Sequence, residues 1–182
     1  MRVVAGKARG TQIKSIESND TRPTKDMVKE ALFSILYNKV QNAIFLDLFA
    51  GSGAIGIEAL SRGAQKAYFS DKNKECIKVI KANIEKTHFD QDAVILNGDF
   101  KSVIEKLRNV KFDIIFLDPP YNQGLGVEAI DLLLDNQMLL NDGIIVYETD
   151  EIEEIPDNIK EYERYNYKKY GRNILNFYRR KE

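Results

Sequence analysis

Leu46-Asp47-Leu48-Phe49-Ala50-Gly51-Ser52-Gly53-Ala54-Ile55-Gly56 reads as a strand running into a glycine loop and then a helix. An apolar run ends in an acid, and the glycines allow a tight turn over which a ligand can approach the backbone. Gly51, Gly53 and Gly56 satisfy the G-x-G-x-x-G spacing of nucleotide-binding loops. Asp71 follows Gly51 by 20 residues, where an acid that binds ribose hydroxyls belongs. The stretch therefore implies an open α/β sheet with a ligand at the carboxyl ends of its strands.

The rest of the chain extends that unit. Runs at 43–49, 66–70, 93–96, 112–117 and 143–147 are short, nearly continuous in apolar character and rich in β-branched and aromatic residues. Strands with both faces covered look like this. Helical spacing fills the gaps at 54–62, 74–86, 101–108 and 126–136. The alternation predicts right-handed βαβ units in a doubly wound, mostly parallel sheet. The tail departs from it, since 162–170 and 173–180 alternate around Tyr170-Gly171 and read as an antiparallel pair. Seven strands are expected in all. Gly6 and Gly10 suggest a small N-terminal hairpin, and a helix is expected over 25–36, capped by Asp20 or Thr21 with Pro23 near its first turn. One domain accounts for residues 1–182, with 1–40 as an N-terminal extension and 41–182 as a Rossmann-like core.

Composition narrows the setting. The chain of 182 residues is 43% hydrophobic and 30% charged, with one cysteine and one histidine. No apolar run reaches a membrane-spanning length of about 18 residues. A lone Cys76 excludes an internal disulfide or a cysteine-rich metal site, so no metal is expected, and the cytoplasm and a monomeric state are. The net charge of −1 hides an asymmetry. Residues 1–40 carry +4 and residues 160–182 carry +5, which leaves −10 for the centre. Basic ends around an acidic middle fit a polyanion held at the ends and a cation held between them. Arg2, Lys7 and Arg9 are the expected contacts to that polyanion.

Asp47 separates the ligand classes that glycine spacing leaves open. A dinucleotide pyrophosphate would meet an unfavourable negative charge there, whereas a sulfonium-bearing amino-acid ligand would be attracted. The second motif, Phe112-Asp113-Ile114-Ile115-Phe116-Leu117-Asp118-Pro119-Pro120-Tyr121, ends a strand in an acid, two prolines and an aromatic. An exocyclic base amine is a poor nucleophile because its lone pair is delocalised into the ring. Asp118 and the Pro119 carbonyl can accept its two protons and favour pyramidal nitrogen. Pro120 restricts Pro119 to extended backbone and so aims that carbonyl. Tyr121 offers a face for a base taken out of its stack.

With both motifs in view, the chain resembles the RsmD family of bacterial 16S rRNA guanine-N2 methyltransferases. The resemblance spans Arg2-Val3-Val4-Ala5-Gly6-Lys7-Ala8-Arg9-Gly10, the segment Thr21-Arg22-Pro23-Thr24, and Tyr170-Gly171 with Leu175 and Tyr178. It implies S-adenosyl-L-methionine as cofactor and 16S rRNA or the small ribosomal subunit as partner, which makes RNA the polyanion bound by Arg2, Lys7 and Arg9. The cofactor residues it implies are Arg22 and Thr24 in a covering segment, Asp47 and Ala50 in the first motif, Gly51 and Gly53 under the methionine part, Asp71 at the ribose, and Asp99 with Phe100 at the adenine. The catalytic set is Asp118, Pro119, Pro120 and Tyr121. An adenine-N6 nucleic-acid methyltransferase and a non-catalytic RNA-binding protein of the same fold remain the alternatives. His88 reads as a surface or helix-capping group, Cys76 as core, and the tyrosines at 162, 165, 167 and 170 as half-buried strand residues.

Overall fold

A computed structural model describes residues 1–16, 24–121 and 123–181, with the side chains of Thr24 and Lys25 left out. The expected cap at Asp20 or Thr21, Pro23 and the cofactor residue Arg22 lie outside the described residues.

The helices are α1 (Thr24–Ile35), α2 (Tyr37–Val40), α3 (Ala54–Ser61), α4 (Lys74–Thr87), α5 (Phe100–Leu107) and α6 (Leu125–Asp135). The strands are β1 (Ile44–Asp47), β2 (Lys66–Asp71), β3 (Ala93–Asn97), β4 (Phe112–Leu117), β5 (Leu139–Asp150), β6 (Asn158–Ile159), β7 (Tyr162–Tyr170) and β8 (Asn173–Arg180). They form one sheet in the order β3-β2-β1-β4-β5-β8-β7-β6. β1 to β5 pair in parallel, and β8, β7 and β6 join antiparallel. The doubly wound reading holds, but the expected count of seven is corrected to eight among the described residues. The extra strand, β6, has two residues and pairs with Tyr162 and Glu163, too short to show any periodicity.

Each face of the sheet is covered. One buries Phe45, Phe69 and Phe116 with Leu32 and Phe33 of α1, Ile57 of α3 and Ile80 of α4. The other buries Leu46, Ile115 and Tyr147 against Val103 of α5 and Ile130 of α6. Burial on both faces explains why the parallel strands read as unbroken apolar runs. A fully buried aromatic such as Phe69 or Phe45 contributes about 1.5–3 kcal/mol. The helix ends obey local chemistry. Asn73 caps α4 by accepting from the Glu75 N–H, and Asp99 caps α5 by accepting from Ser102. His88 closes α4 in the left-handed region at φ 59°, in keeping with its capping reading.

The N-terminal ribbon is tied to α3. The N–H groups of Val3, Gly10 and Ile13 donate to the carbonyls of Thr11, Val3 and Met1 around the Arg2–Gln12 bridge. The carboxylate of Glu58, fully buried within otherwise apolar α3, accepts from the Val4 and Ala5 N–H groups at 2.8 and 2.9 Å. It also pairs with Arg62 at 2.8 Å and with Lys29 of α1 at 3.3 Å. The Lys29 ammonium, itself buried, donates to the Arg2 carbonyl. One buried polar knot thus fastens the chain's start to two helices.

Candidate active site

In the strand order 3-2-1-4-5 the direction of winding reverses between β1 and β4, and open α/β sheets bind ligands at such a switch point. A cleft of about 330 Å³ lies there, within the roughly 300–1,000 Å³ usual for small-molecule sites. The glycine loop and the strand ends form its floor, and Met1, Ser15, Ile16, Val28 and Lys29 close its side.

The loop is shaped for close approach at Gly51. Its φ is +54°, and a Cβ there would meet nothing nearer than Ile16 at 3.8 Å. Gly53, at φ +78°, serves packing instead, since a Cβ would press on Ile80 and Phe69 at 3.3–3.4 Å. Asp71 braces the turn. One carboxylate oxygen accepts from the Gly51 N–H at 3.0 Å and the other from the Asn73 N–H at 2.8 Å. Cys76 is buried but stands outside both apolar clusters. Burial and then the neighbouring Asp71 carboxylate push its thiol up to about 11.

Asp47 is a strongly perturbed acid of the cleft. It is 1% exposed, and burial pushes its carboxyl up to about 7. The Gly56 N–H at the start of α3, donating at 3.1 Å, pulls the other way, and the charge of Asp71 raises it further. Such a group favours a cation beside it.

Asp47, Ala50, Gly51, Asp118 and Tyr121 all line this cleft. Pro119 is buried, and Asp118 and Pro120 on either side of it are exposed. Asp71 and Asp99 stand at the ends of β2 and after β3, on the same side of the sheet. Asp99 is exposed, and the Ser102 N–H first among several donors holds its carboxyl below the ordinary value. Phe100 packs on Phe49, which lines the cleft, with ring centroids 5.7 Å apart. Thr24 opens α1.

Lys7 and Arg9 of the basic N-terminus lie elsewhere, whereas Arg2 follows Met1 of the cleft wall and its carbonyl accepts from Lys29. Arg2, Lys7 and Arg9 are exposed, and the ribbon's turn docks where the Lys7 N–H meets the Ser61 carbonyl at 2.8 Å. That is the far end of an eight-residue helix, about 12 Å along its axis from the glycine loop.

Sequence reasoning missed Phe49, Lys29, Glu148 and Asn173, all of which line the cleft. Glu148 carried a legible signal, an acid directly after the apolar run 143–147, as Asp118 is after 112–117. It is 7% exposed, and Asn173 donates its side-chain amide to it.

The family model described as "Conserved hypothetical protein 95" matches residues 1–179. The chain belongs to this family. Its relatives include "Putative rRNA methyltransferase YlbH" of Bacillus subtilis, 37% identical over 161 residues that cover 87% of this chain and 88% of that one. "Ribosomal RNA small subunit methyltransferase D" of Haemophilus influenzae is 37% identical over 152 residues, 82% of this chain and 79% of its own. The solved structure of "Putative methyltransferase yhhF from Escherichia coli" superposes with a TM-score of 0.86 at 29% identity, over 100% of this chain and 98% of that one. The fold is that of the class I methyltransferases, and the likeness to the RsmD family noted from the motifs holds across nearly the whole chain.

Proposed function

We propose that the chain, acting as one methyltransferase domain, transfers the methyl group of S-adenosylmethionine to the exocyclic N2 amine of a guanine in 16S rRNA of the small ribosomal subunit. One observation carries the reading: the glycine loop with Asp47 and the acid of the Asp118-Pro119-Pro120-Tyr121 motif border the same cleft. A donor seated on the first and an acceptor held by the second would meet there. The names of the family's relatives supply the substrate class, rRNA of the small subunit.

The residues present fit the cofactor. Asp47 offers a buried carboxylate to a cationic amino-acid end. Gly51 leaves open space where a side chain would obstruct. Asp71, steadied by two backbone N–H groups, has lone pairs left to accept from ribose hydroxyls. Phe49 and Phe100 make an apolar shelf beside Asp99 for the adenine. The cofactor supplies an activated methyl on a sulfonium, so no base is needed to make the reagent. Asp118 and the Pro119 carbonyl accept the amine's two N–H bonds and orient its lone pair. As the nitrogen becomes cationic, Asp118 takes the released proton and passes it to water. Tyr121 stacks on the base. Alignment of this kind is worth up to ~7–11 kcal/mol in ideal cases.

The test is transfer of labelled methyl from S-adenosylmethionine to small subunits isolated from cells lacking the protein, followed by nucleoside analysis. The label is expected on N2 of guanosine. Label on adenine N6 would transfer the protein to the other base specificity, and no transfer to any rRNA would refute the reading.

A further inference from the structure

Glu148 and Asn173 take no part in the chemistry described so far, yet both line the cleft that Asp118 and Tyr121 also line. Their place follows from the register. Leu117, the last residue of β4, pairs with Tyr147 of β5, so Asp118, the first residue past β4, and Glu148 of β5 follow directly from a pair of neighbouring strands about 4.8 Å apart. On the other side of β5, Glu148 is opposite Leu175 of β8 and Asp150 is opposite Asn173. Successive residues of a strand alternate faces, so Asn173 shares the face of Leu175 and Glu148 and lies diagonal to the latter. Its amide N–H donates to one Glu148 carboxylate oxygen. A buried acid held by an amide thus lines the cleft in the strand next to the one that leads into Asp118.

We infer that Glu148, positioned by Asn173, reads the Watson–Crick edge of the target base and selects guanine over adenine. The inference rests on the proposed methyl transfer to a base amine. With N2 of guanine held at Asp118 and the Pro119 carbonyl, the neighbouring ring atom is N1–H, a donor, and the Glu148 carboxylate is an acceptor for it. The atom beyond is O6, an acceptor, and the Asn173 amide is a donor. The order acceptor, acceptor, donor along Asp118, Glu148 and Asn173 complements donor, donor, acceptor along N2, N1 and O6. Adenine presented by its N6 amine would turn an unprotonated N1 lone pair onto the carboxylate, leaving two acceptors facing each other. Sites built on such hydrogen bonds reject the analogue lacking them by about 10⁴–10⁵-fold.

The experiment compares wild type, Glu148→Gln and Asn173→Ala as whole chains. S-adenosylmethionine affinity is measured by calorimetry and single-turnover methylation on small subunits. A second substrate is reconstituted subunits carrying 2-aminopurine at the target guanine, which keeps the 2-amine but presents N1 as an acceptor. Wild type is expected to methylate guanine and reject 2-aminopurine. Glu148→Gln should keep cofactor affinity within about twofold and lose about 10–100-fold in kcat/KM on guanine, the value of a charged hydrogen bond. Its amide can donate to an N1 acceptor, so its discrimination against 2-aminopurine should shrink. Asn173→Ala should change discrimination in the same direction and by less. Unaltered kcat/KM and unaltered discrimination in Glu148→Gln, with wild-type guanine methylation intact, would overturn this assignment alone. Wild-type label on adenine, or none, would overturn the proposed function and this assignment with it.

Discussion

Replacing Asp47 with Asn should make the protein more stable and a poorer binder of its cofactor. Burial holds the Asp47 carboxyl at about 7 in the folded chain, against about 3.9 for an aspartate in an open chain. The folded state therefore binds more protons than the unfolded state between about pH 4 and pH 7. Stability contributed at this position falls as pH rises through that window and levels off above it. At pH 8 the ionised carboxylate costs the free protein on the order of 4 kcal/mol, about three pH units at 1.36 kcal/mol each. An asparagine oxygen can still accept from the Gly56 N–H, while its new N–H bonds, if unsatisfied, cost about 1–3 kcal/mol. The net gain expected is about 1–3 kcal/mol at pH 8, shrinking toward zero or below at pH 5, where the wild-type acid is protonated. The assay is urea denaturation of both proteins at the two pH values, with calorimetric titration of S-adenosylmethionine at pH 8. Affinity should fall about 10- to 100-fold through loss of a charged contact. A variant less stable than wild type at pH 8, or one with the same stability difference at both pH values, would refute the electrostatic account.

Asp118→Ala should lose turnover by at least about 100-fold while keeping cofactor affinity, because its contacts to the amine strengthen in the transition state; single-turnover transfer and calorimetry separate the two. Tyr121→Ala should weaken capture of the flipped base by about 1–3 kcal/mol, with Tyr121→Phe close to wild type because the ring does the stacking. Glu58→Ala should cost about 3–5 kcal/mol in urea denaturation, because it removes the nearer carboxylate at 3.3 Å from the buried ammonium of Lys29 and leaves only that of Asp26 at 3.9 Å. Amide exchange at Val4 and Ala5, whose N–H groups it holds, should accelerate in the same variant.

The parallel core was legible because its strands are buried on both faces and end in acids. Asp47, Asp71 and Asp118 each terminate an apolar run, and a reader of one strand at a time can find them. Glu148 terminates such a run too, but its meaning depends on which strand lies beside β4, and only the pairing of Leu117 with Tyr147 supplies that. Asn173 is farther from view still, since it reaches the cleft by an antiparallel return from the end of the chain. Tertiary pairing, not local pattern, decides both.

Charge raises the opposite difficulty. Counting showed that the first 40 residues are basic, but a count has no direction. The ribbon's tip is anchored at Ser61, at the end of α3 away from the glycine loop, so Lys7 and Arg9 stand apart from the reacting atoms. Lys29, unremarkable in a helical pattern, turns out to be buried and spent on Glu58 and the Arg2 carbonyl. The clue was Glu58 itself, an acid inside the otherwise apolar helix Ala54–Ser61, since a buried charge demands a partner. That partner comes from α1, and the same carboxylate fixes Val4 and Ala5. The segment that closes the cleft beside Met1, Ser15 and Ile16 is thus held through the helix that begins at the glycine loop. Loop, helix and ribbon are joined through one carboxylate, since Glu58 of the helix that begins at the glycine loop accepts from the N–H groups of Val4 and Ala5.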